Sequence, residues 1–278
     1  MPQVTSVSRT GRIRPIVSRQ SPHVQAFRDL ARKRKSDAAH ILIEGRHLLR
    51  EARAAGVAIE RVAFTTDLLT TAETAALAEG LADAGAEVFS VSGPLMQALS
   101  PVRTPSGIVA IGRLQPASLE DVFARAPQLV LIAADVQDPG NVGAMVRATE
   151  AAGGTGFVAC GASADAFGWK AIRGSMGSAF RLPIARATLD EALTGARKAR
   201  LQVLAAVPRM GQPLFELDLR PPTAVLLGGE GPGLSLGVLE DADSSVSIPM
   251  RPPVESLNVA VAAALVLYEA LRQRSTAP

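Results

Sequence analysis

The chain has one cysteine, Cys160, in 278 residues. A disulfide needs two and a cysteine-based zinc module needs more, so both are excluded. Aromatic side chains make up only 4%, with a single Trp and a single Tyr. That argues against an RNA binder whose affinity comes from several exposed rings. The three histidines (His23, His40 and His47) have neither the spacing nor the acidic neighbours of a metal cluster, so no metal is expected. No Ser–His–Asp arrangement suggests itself. No run approaches the roughly 20 uninterrupted apolar residues of a membrane span. The most apolar stretch, Leu257 to Leu271, carries Asn258 and Glu269 and reads as a packed helix. The first 28 residues hold five Arg and no acid, a superficial likeness to a transit peptide. Pro15 and Pro22 interrupt it and no apolar face accompanies the arginines. Residues 1–21 are therefore expected to be a basic tail without fixed structure, in a cytoplasmic protein with no membrane partner.

Phosphate-binding signatures are missing too. No G-x-x-x-x-G-K-[ST] occurs, which rules out a P-loop. The only approximation to a dinucleotide fingerprint is Gly154, Gly156 and Ala159. It runs from helix into strand, the reverse of what a phosphate-binding turn requires.

What is present is an ordinary globular balance, 47% apolar and 20% charged, with an uneven distribution of charge. Residues 1–53 hold 12 of the 29 Lys/Arg and 4 of the 26 Asp/Glu, a net of +8. The remaining residues carry 17 against 22, a net of −5. A basic front on a mildly acidic body suggests an anionic partner such as nucleic acid, and a solvated helix face beside a basic tail explains it equally well. The candidate phosphate contacts are Arg28, Arg32, Lys33, Arg34, Lys35 and Arg46.

Periodicity gives two successive α/β runs. The first places helices over 24–36, 45–55, 71–84 and 94–99 among strands over 40–44, 61–65, 87–91 and 108–111, a small domain spanning 22–112. Residues 113–127 are expected to be a linker with a short acidic helix. The second run, 128–278, places strands over 129–133, 156–160, 182–184, 201–206, 224–227 and 245–249. Its helices fall over 142–152, 170–177, 189–200, 236–240 and 257–274. Strands alternating with helices imply a parallel sheet covered on both faces.

Three segments of the second run ask for more than folding. The first opens a helix directly after a strand and holds Asn141, Gly143 and Arg147. Asn141 fits an N-cap, and Arg147 fits an ion pair with Glu150. The second, Leu226 to Ser235, has four glycines in six positions after an apolar strand. They allow close approach of a ligand or of another chain segment. Glu230 inside it reads as buried. The third leaves a strand at Ile248 and Met250, crosses Pro252 and Pro253, and enters a nearly all-apolar helix that Ser256 is expected to cap.

In this order the segments resemble the SpoU/TrmH family of RNA ribose 2′-O-methyltransferases, within the SPOUT superfamily. Its N-x-G-x-x-x-R-x-A is matched by Asn141, Gly143, Arg147 and Ala148, and its G-x-E-x-x-G by Gly228, Glu230 and Gly233. Its I-P-M…S-L-N-V-[SA]-V-A is matched by Ile248, Pro249, Met250 and the run Ser256 to Ala262. Ile41 to Arg46 and Thr104 to Ile108 resemble the small substrate-binding domain common in that family. Two positions depart from its pattern. Leu42 and Ile43 stand where relatives often carry an aromatic, and Gly168-Trp169 replaces a Ser-Pro before Lys170.

The resemblance implies an α/β fold in which a small N-terminal substrate-binding domain precedes a parallel-sheet methyltransferase domain with a deep C-terminal trefoil knot. It implies S-adenosylmethionine as cofactor, held near Leu227, Gly228, Gly229, Ile248, Met250 and Leu257. It implies methylation of a ribose 2′-hydroxyl in structured RNA, with 23S rRNA and guanosine favoured over tRNA. Arg147, Asn141, Glu230, Ser256 and Asn258 would form the catalytic site, and the knotted domains would pair as a homodimer. The competing reading is a non-catalytic RNA-binding or ribosome-assembly factor on the same fold.

Overall fold

The computed structural model describes residues 12–32, 40–126, 128–231 and 233–275, which divide into two compact units at Leu114/Gln115. In the first, β1 (Ile13–Pro15), α1 (Pro22–Arg32), β2 (His40–Glu44), α2 (Arg46–Ala54) and β3 (Ala58–Thr65) are followed by α3 (Ala72–Asp83), β4 (Glu87–Val91), α4 (Gly93–Leu99) and β5 (Ile108–Arg113). The sheet order is β1-β4-β3-β5-β2. It is mixed rather than purely parallel, because β5 runs antiparallel to both β2 and β3.

The expected unstructured tail is corrected here from residue 12 onward. Ile13–Pro15 pairs in parallel with β4, and the Ile16 N–H donates to the Ser90 carbonyl at 2.9 Å. Arg12 and Arg14 are held by Asp83 and Glu87, and the Arg14 guanidinium lies 5.2 Å from the centre of the Phe89 ring. Acidic partners from elsewhere in the unit thus order an arginine-rich segment that looks free in one dimension.

The second unit contains α5 (Leu119–Ala124), β6 (Leu129–Ala134), α6 (Pro139–Ala151), β7 (Gly156–Cys160), α7 (Trp169–Ser175), β8 (Ile184–Ala187), α8 (Leu189–Lys198) and β9 (Gln202–Ala206). Then come β10 (Gln212–Pro213), β11 (Thr223–Gly228), α9 (Leu236–Glu240), β12 (Ser244–Ser247) and α10 (Val259–Ser275). The strand order is β10-β12-β9-β11-β6-β7-β8, parallel throughout. Every residue of β6 (LVLIAA) and of β7 (GFVAC) is buried, as expected where helices cover both faces.

The segment expected as a linker is not one. Gly112 and Arg113 complete β5, and α5 buries Val122 and Phe123 in the second unit's core with Val130, Val158 and Leu193. Its start is legible as a capping box, Ser118 with Asp121. The strand expected near 182–184 is Ile184–Ala187, and α10 starts at Val259 rather than Leu257. Near its end α10 is pinned down: Arg274 donates to the carbonyls of Leu219, Gln128 and Pro221, and Gln273 bonds both Leu217 and Leu219. No described helix is long and apolar enough to cross a membrane.

Candidate functional site

The site forms where β6, β7 and β11 end together, because parallel strands deliver their following loops to one edge. Asp135 leaves β6 with φ 58°, and its Oδ1 accepts from the Ala162 N–H at 2.7 Å, tying the end of β6 to the end of β7. Ser163 Oγ adds a second tie, donating to the Ala133 carbonyl and accepting from the Val136 N–H, each at 3.0 Å. The backbone after β11 then passes close by. A Cβ at Gly229 would lie 2.0 Å from the Asp135 carbonyl oxygen, and one at Gly228 would lie 2.6 Å from the Gly233 carbonyl carbon. Of the two reasons for glycine here, crowding by the chain itself already requires both. Gly231 and Gly233 serve the turn instead, with φ of 104° and 66°.

Helix α6 follows Asp135 at once. Its N-cap is Asp138, whose Oδ1 accepts from the Asn141 N–H at 2.8 Å, with Pro139 in the first turn. The expected cap, Asn141, is instead inside the helix, which frees its side chain. That carboxamide joins the three segments. Its Nδ2 donates to Glu230 Oε1, and its Oδ1 accepts from Asn258 Nδ2 at 3.0 Å. Asn258 Oδ1 in turn accepts from the N–H groups of Ala260 and Val261, at 2.9 and 3.3 Å. Asn258 is therefore the cap of α10, the role expected of Ser256, which is exposed and makes no hydrogen bond among the described residues. Glu230 is exposed rather than buried; its contact with Asn141, not the core, holds it.

Arg147 is also exposed, and it does not pair with Glu150. Glu150 is taken by Arg181 through two bonds of 2.7 and 2.9 Å. Burial raises the Glu150 pKa, but hydrogen bonds from Arg181 and Ser178 outweigh it and hold the carboxyl below its ordinary value. Among the described residues the Arg147 side chain makes no hydrogen bond or ion pair. Six residues beyond Asn141 in one helix, it stands about 9 Å along the axis and about 120° around it. The structure thus brings Asn141, Glu230 and Asn258 together and leaves Arg147 on a different side of α6. Gly143 explains itself by packing: a Cβ there would lie 2.3 Å from the Ala171 carbonyl oxygen of α7.

Of the cofactor candidates, Leu227 is buried in β11 and offers only backbone atoms. Ile248 and Met250 are half-buried, and Leu257 is exposed. The backbone N–H and C=O groups of these last three make no hydrogen bond among the described residues. Unpaired backbone donors and acceptors beside apolar side chains suit a ligand with a flat heteroaromatic ring. Arg209 and Glu255, 3.1 Å apart, tie the loop after β9 to the loop after β12. Cys160 is buried, and burial and nearby Asp135 and Glu191 push its thiol up to about 12, so it is no nucleophile.

In the first unit, Glu44 Oε1 accepts from the Ser106 N–H at 2.9 Å, joining the two stretches that carried the resemblance there. Of the candidate phosphate contacts, Arg32 is exposed and Arg28 half-buried. Arg46 is engaged by Glu73 at 2.7 Å and by Thr74, so its charge is partly spent inside the fold. Lys33, Arg34 and Lys35 lie outside the described residues. Sequence reasoning missed the ties made by Asp135 and Ser163. The Asp138-Pro139 start of α6 was legible as a cap followed by Pro.

The parallel sheet, its glycine-crowded strand ends and the loop cluster bridged by one carboxamide define an α/β protein with a polar cluster at the carboxyl edge of its sheet. Comparison with known proteins makes the class specific. Residues 128–268 match the SpoU rRNA Methylase family, and residues 21–110 match the MRM3-like substrate binding domain. The chain is 35% identical over 271 residues to an uncharacterized tRNA/rRNA methyltransferase of Synechocystis sp., covering 95% of this chain and 96% of that one. It is 30% identical over 257 residues to the 23S rRNA (guanosine(2553)-2′-O)-methyltransferase RlmP of Bacillus subtilis, covering 92% and 98%. An AdoMet-bound rRNA methyltransferase from Sinorhizobium meliloti superposes with a TM-score of 0.83 at 27% identity, covering 94% of this chain and 98% of that one. The chain belongs to the SpoU rRNA methylase family and is an RNA methyltransferase of that class.

Proposed function

We propose that the protein transfers a methyl group from S-adenosylmethionine to a ribose 2′-hydroxyl of large-subunit rRNA, with guanosine as the target nucleoside. The observation that carries this reading is the Asn141 carboxamide, which bridges Glu230 and Asn258 and so joins all three motif segments into one site. A bound sulfonium cofactor supplies an already activated methyl group, so the chain needs only to position the hydroxyl and remove its proton. The backbone of Gly228, Gly229, Ile248, Met250 and Leu257 would hold the cofactor, with Ile248 and Leu257 offering apolar contact to its adenine. Asn141, Glu230 and Asn258 fix the loops that form this pocket, and Ser256 adds an exposed hydroxyl at its edge.

Arg147 is the catalytic side chain in this scheme. A guanidinium is a poor base, since it stays protonated in proteins. Its fixed charge suits binding the phosphate beside the target ribose and stabilising the oxygen as its proton passes to solvent water. Two copies of the chain pair through α10. Val261, Leu265 and Tyr268, spaced as one helix face, are 49%, 42% and 51% exposed there, and a second copy would cover them.

The test is a calorimetric titration with S-adenosylmethionine, followed by mapping of ribose methylations in total RNA with and without the gene. One 2′-O-methyl site in 23S rRNA that disappears with the gene is the expected result. Absence of binding at millimolar cofactor, or loss of a base methylation instead, refutes the reading.

A further inference from the structure

We propose that Trp169 and Lys170 form a base-stacking subsite for the RNA substrate beside Arg147; the proposal rests on the RNA-methylating reading above. Trp169 is the single tryptophan of the chain and is half-buried, with the Lys170 ammonium 5.5 Å from the centre of its ring. Helices α6 and α7 meet without intervening side chains: a Cβ at Gly143 would touch Ala171, and one at Gly174 would lie 3.3 Å from the Gly140 carbonyl oxygen. Later residues of α7 thus face earlier residues of α6, so the helices run in opposite senses. Arg147, one turn beyond Gly143 on the same face, is carried toward Trp169 and Lys170.

The charge around this spot is not neutralised. Arg147, Lys170 and Arg173 are exposed and make no ion pair among the described residues. The acids that could answer them are engaged elsewhere, Glu150 by Arg181 and Asp165 by Arg186 at 3.7 Å. The second unit holds 14 Lys/Arg against 16 Asp/Glu, so three cations without an ion pair among the described residues, near the chain's one tryptophan, form a local island on a mildly acidic body. Phosphates bind such an island, and an aromatic ring among them takes a base, since every base has a π-face. The Lys170 contact with the ring is exposed and weak. Lys170 occupies the ring until RNA arrives, then moves to a phosphate while a base takes its place. A single ring reads at most one base, in keeping with the scarcity of aromatics.

The lone tryptophan makes the test direct. Full-length protein is titrated with fluorescein-labelled, unmodified fragments tiling 23S rRNA, with fluorescence polarisation reporting binding and tryptophan emission reporting the ring. Saturable quenching that tracks polarisation is expected. Trp169→Leu should weaken binding roughly 5- to 150-fold while S-adenosylmethionine binding is unchanged, and Trp169→Phe should restore most of it. Lys170→Ala should lower the slope of log affinity against log salt by about one. RNA binding with unquenched tryptophan, or with Trp169→Leu at wild-type affinity and an intact fold, overturns the subsite and leaves the RNA reading standing. Failure of every fragment to bind overturns both.

Discussion

Asn258 carries two roles on one carboxamide, and substitution separates them. Its Oδ1 caps α10 through Ala260 and Val261, while its Nδ2 reaches Asn141 at 3.0 Å. Asn258→Ala removes both. A lost cap costs about 1 kcal/mol and a lost hydrogen bond about 1 kcal/mol more. The sum of about 2 kcal/mol lowers the melting temperature by roughly 4–8 °C in a unit of this size. Asn258→Asp keeps the capping oxygen and adds a negative charge at the helix start, a gain of about 0.3–1 kcal/mol. It also sets a carboxylate oxygen against Asn141 Oδ1. Asn141 cannot turn to escape, because rotation would aim that oxygen at Glu230. The aspartate variant should therefore melt within about 2 °C of wild type, where the gained charge offsets the lost bond. Both variants should transfer methyl groups to unmodified 23S rRNA about 10-fold or more slowly, since about 1.4 kcal/mol of ordering at the site corresponds to that factor. Scanning fluorimetry and incorporation of labelled methyl measure the two quantities on the same samples. An aspartate variant as unstable as the alanine variant would refute the cap. One that turns over at the wild-type rate would refute the role of the link.

Two further expectations follow from the same geometry. Arg147→Ala should abolish methylation and leave S-adenosylmethionine affinity within about twofold by calorimetry, because Arg147 makes no contact that supports the loops; retained turnover would assign its role elsewhere. Glu269, buried in α10, has its carboxyl held down to about 2 from 4.5 by hydrogen bonds from Arg272 and Gln273. A depressed carboxyl adds stability that is complete above about pH 4.5 and is lost as pH falls toward 2, roughly 1–2 kcal/mol after screening of the exposed Arg272. Urea unfolding of wild type and Glu269→Gln between pH 5 and 2.5 should converge as the pH drops; parallel curves would mean that the pair adds nothing.

How much was legible in the sequence varied with the range of the interaction. Strands such as His40–Glu44, Glu87–Val91 and Gly156–Cys160 stand where their apolar runs place them, because burial on a sheet is written residue by residue. Helix α8 starts at Leu189, where its apolar spacing places it, and ends at Lys198, two residues short of the expected 200; the Thr188–Glu191 capping box fixes the start. Asn141 and Ser256 both looked like caps, and neither is one: Asp138 and Asn258 hold those places. Several polar residues near a helix start compete for one capping position, and the local sequence does not rank them.

The ordered arginines at residues 12–14 mark the same limit. Their partners Asp83 and Glu87 are some seventy residues away, so the local sequence carries no sign of them. By itself, the sequence determined the alternation of strands and helices, the three motifs and hence the family, and a basic front of +8 against a body of −5. Only the tertiary structure decided what those residues do to one another. Bringing the ends of β6 and β11 together makes Gly229 obligatory beside Asp135, and it lets one carboxamide at position 141 reach a glutamate 89 residues and an asparagine 117 residues further along. Hydrogen bonds act over about 3 Å of space whatever the separation in sequence.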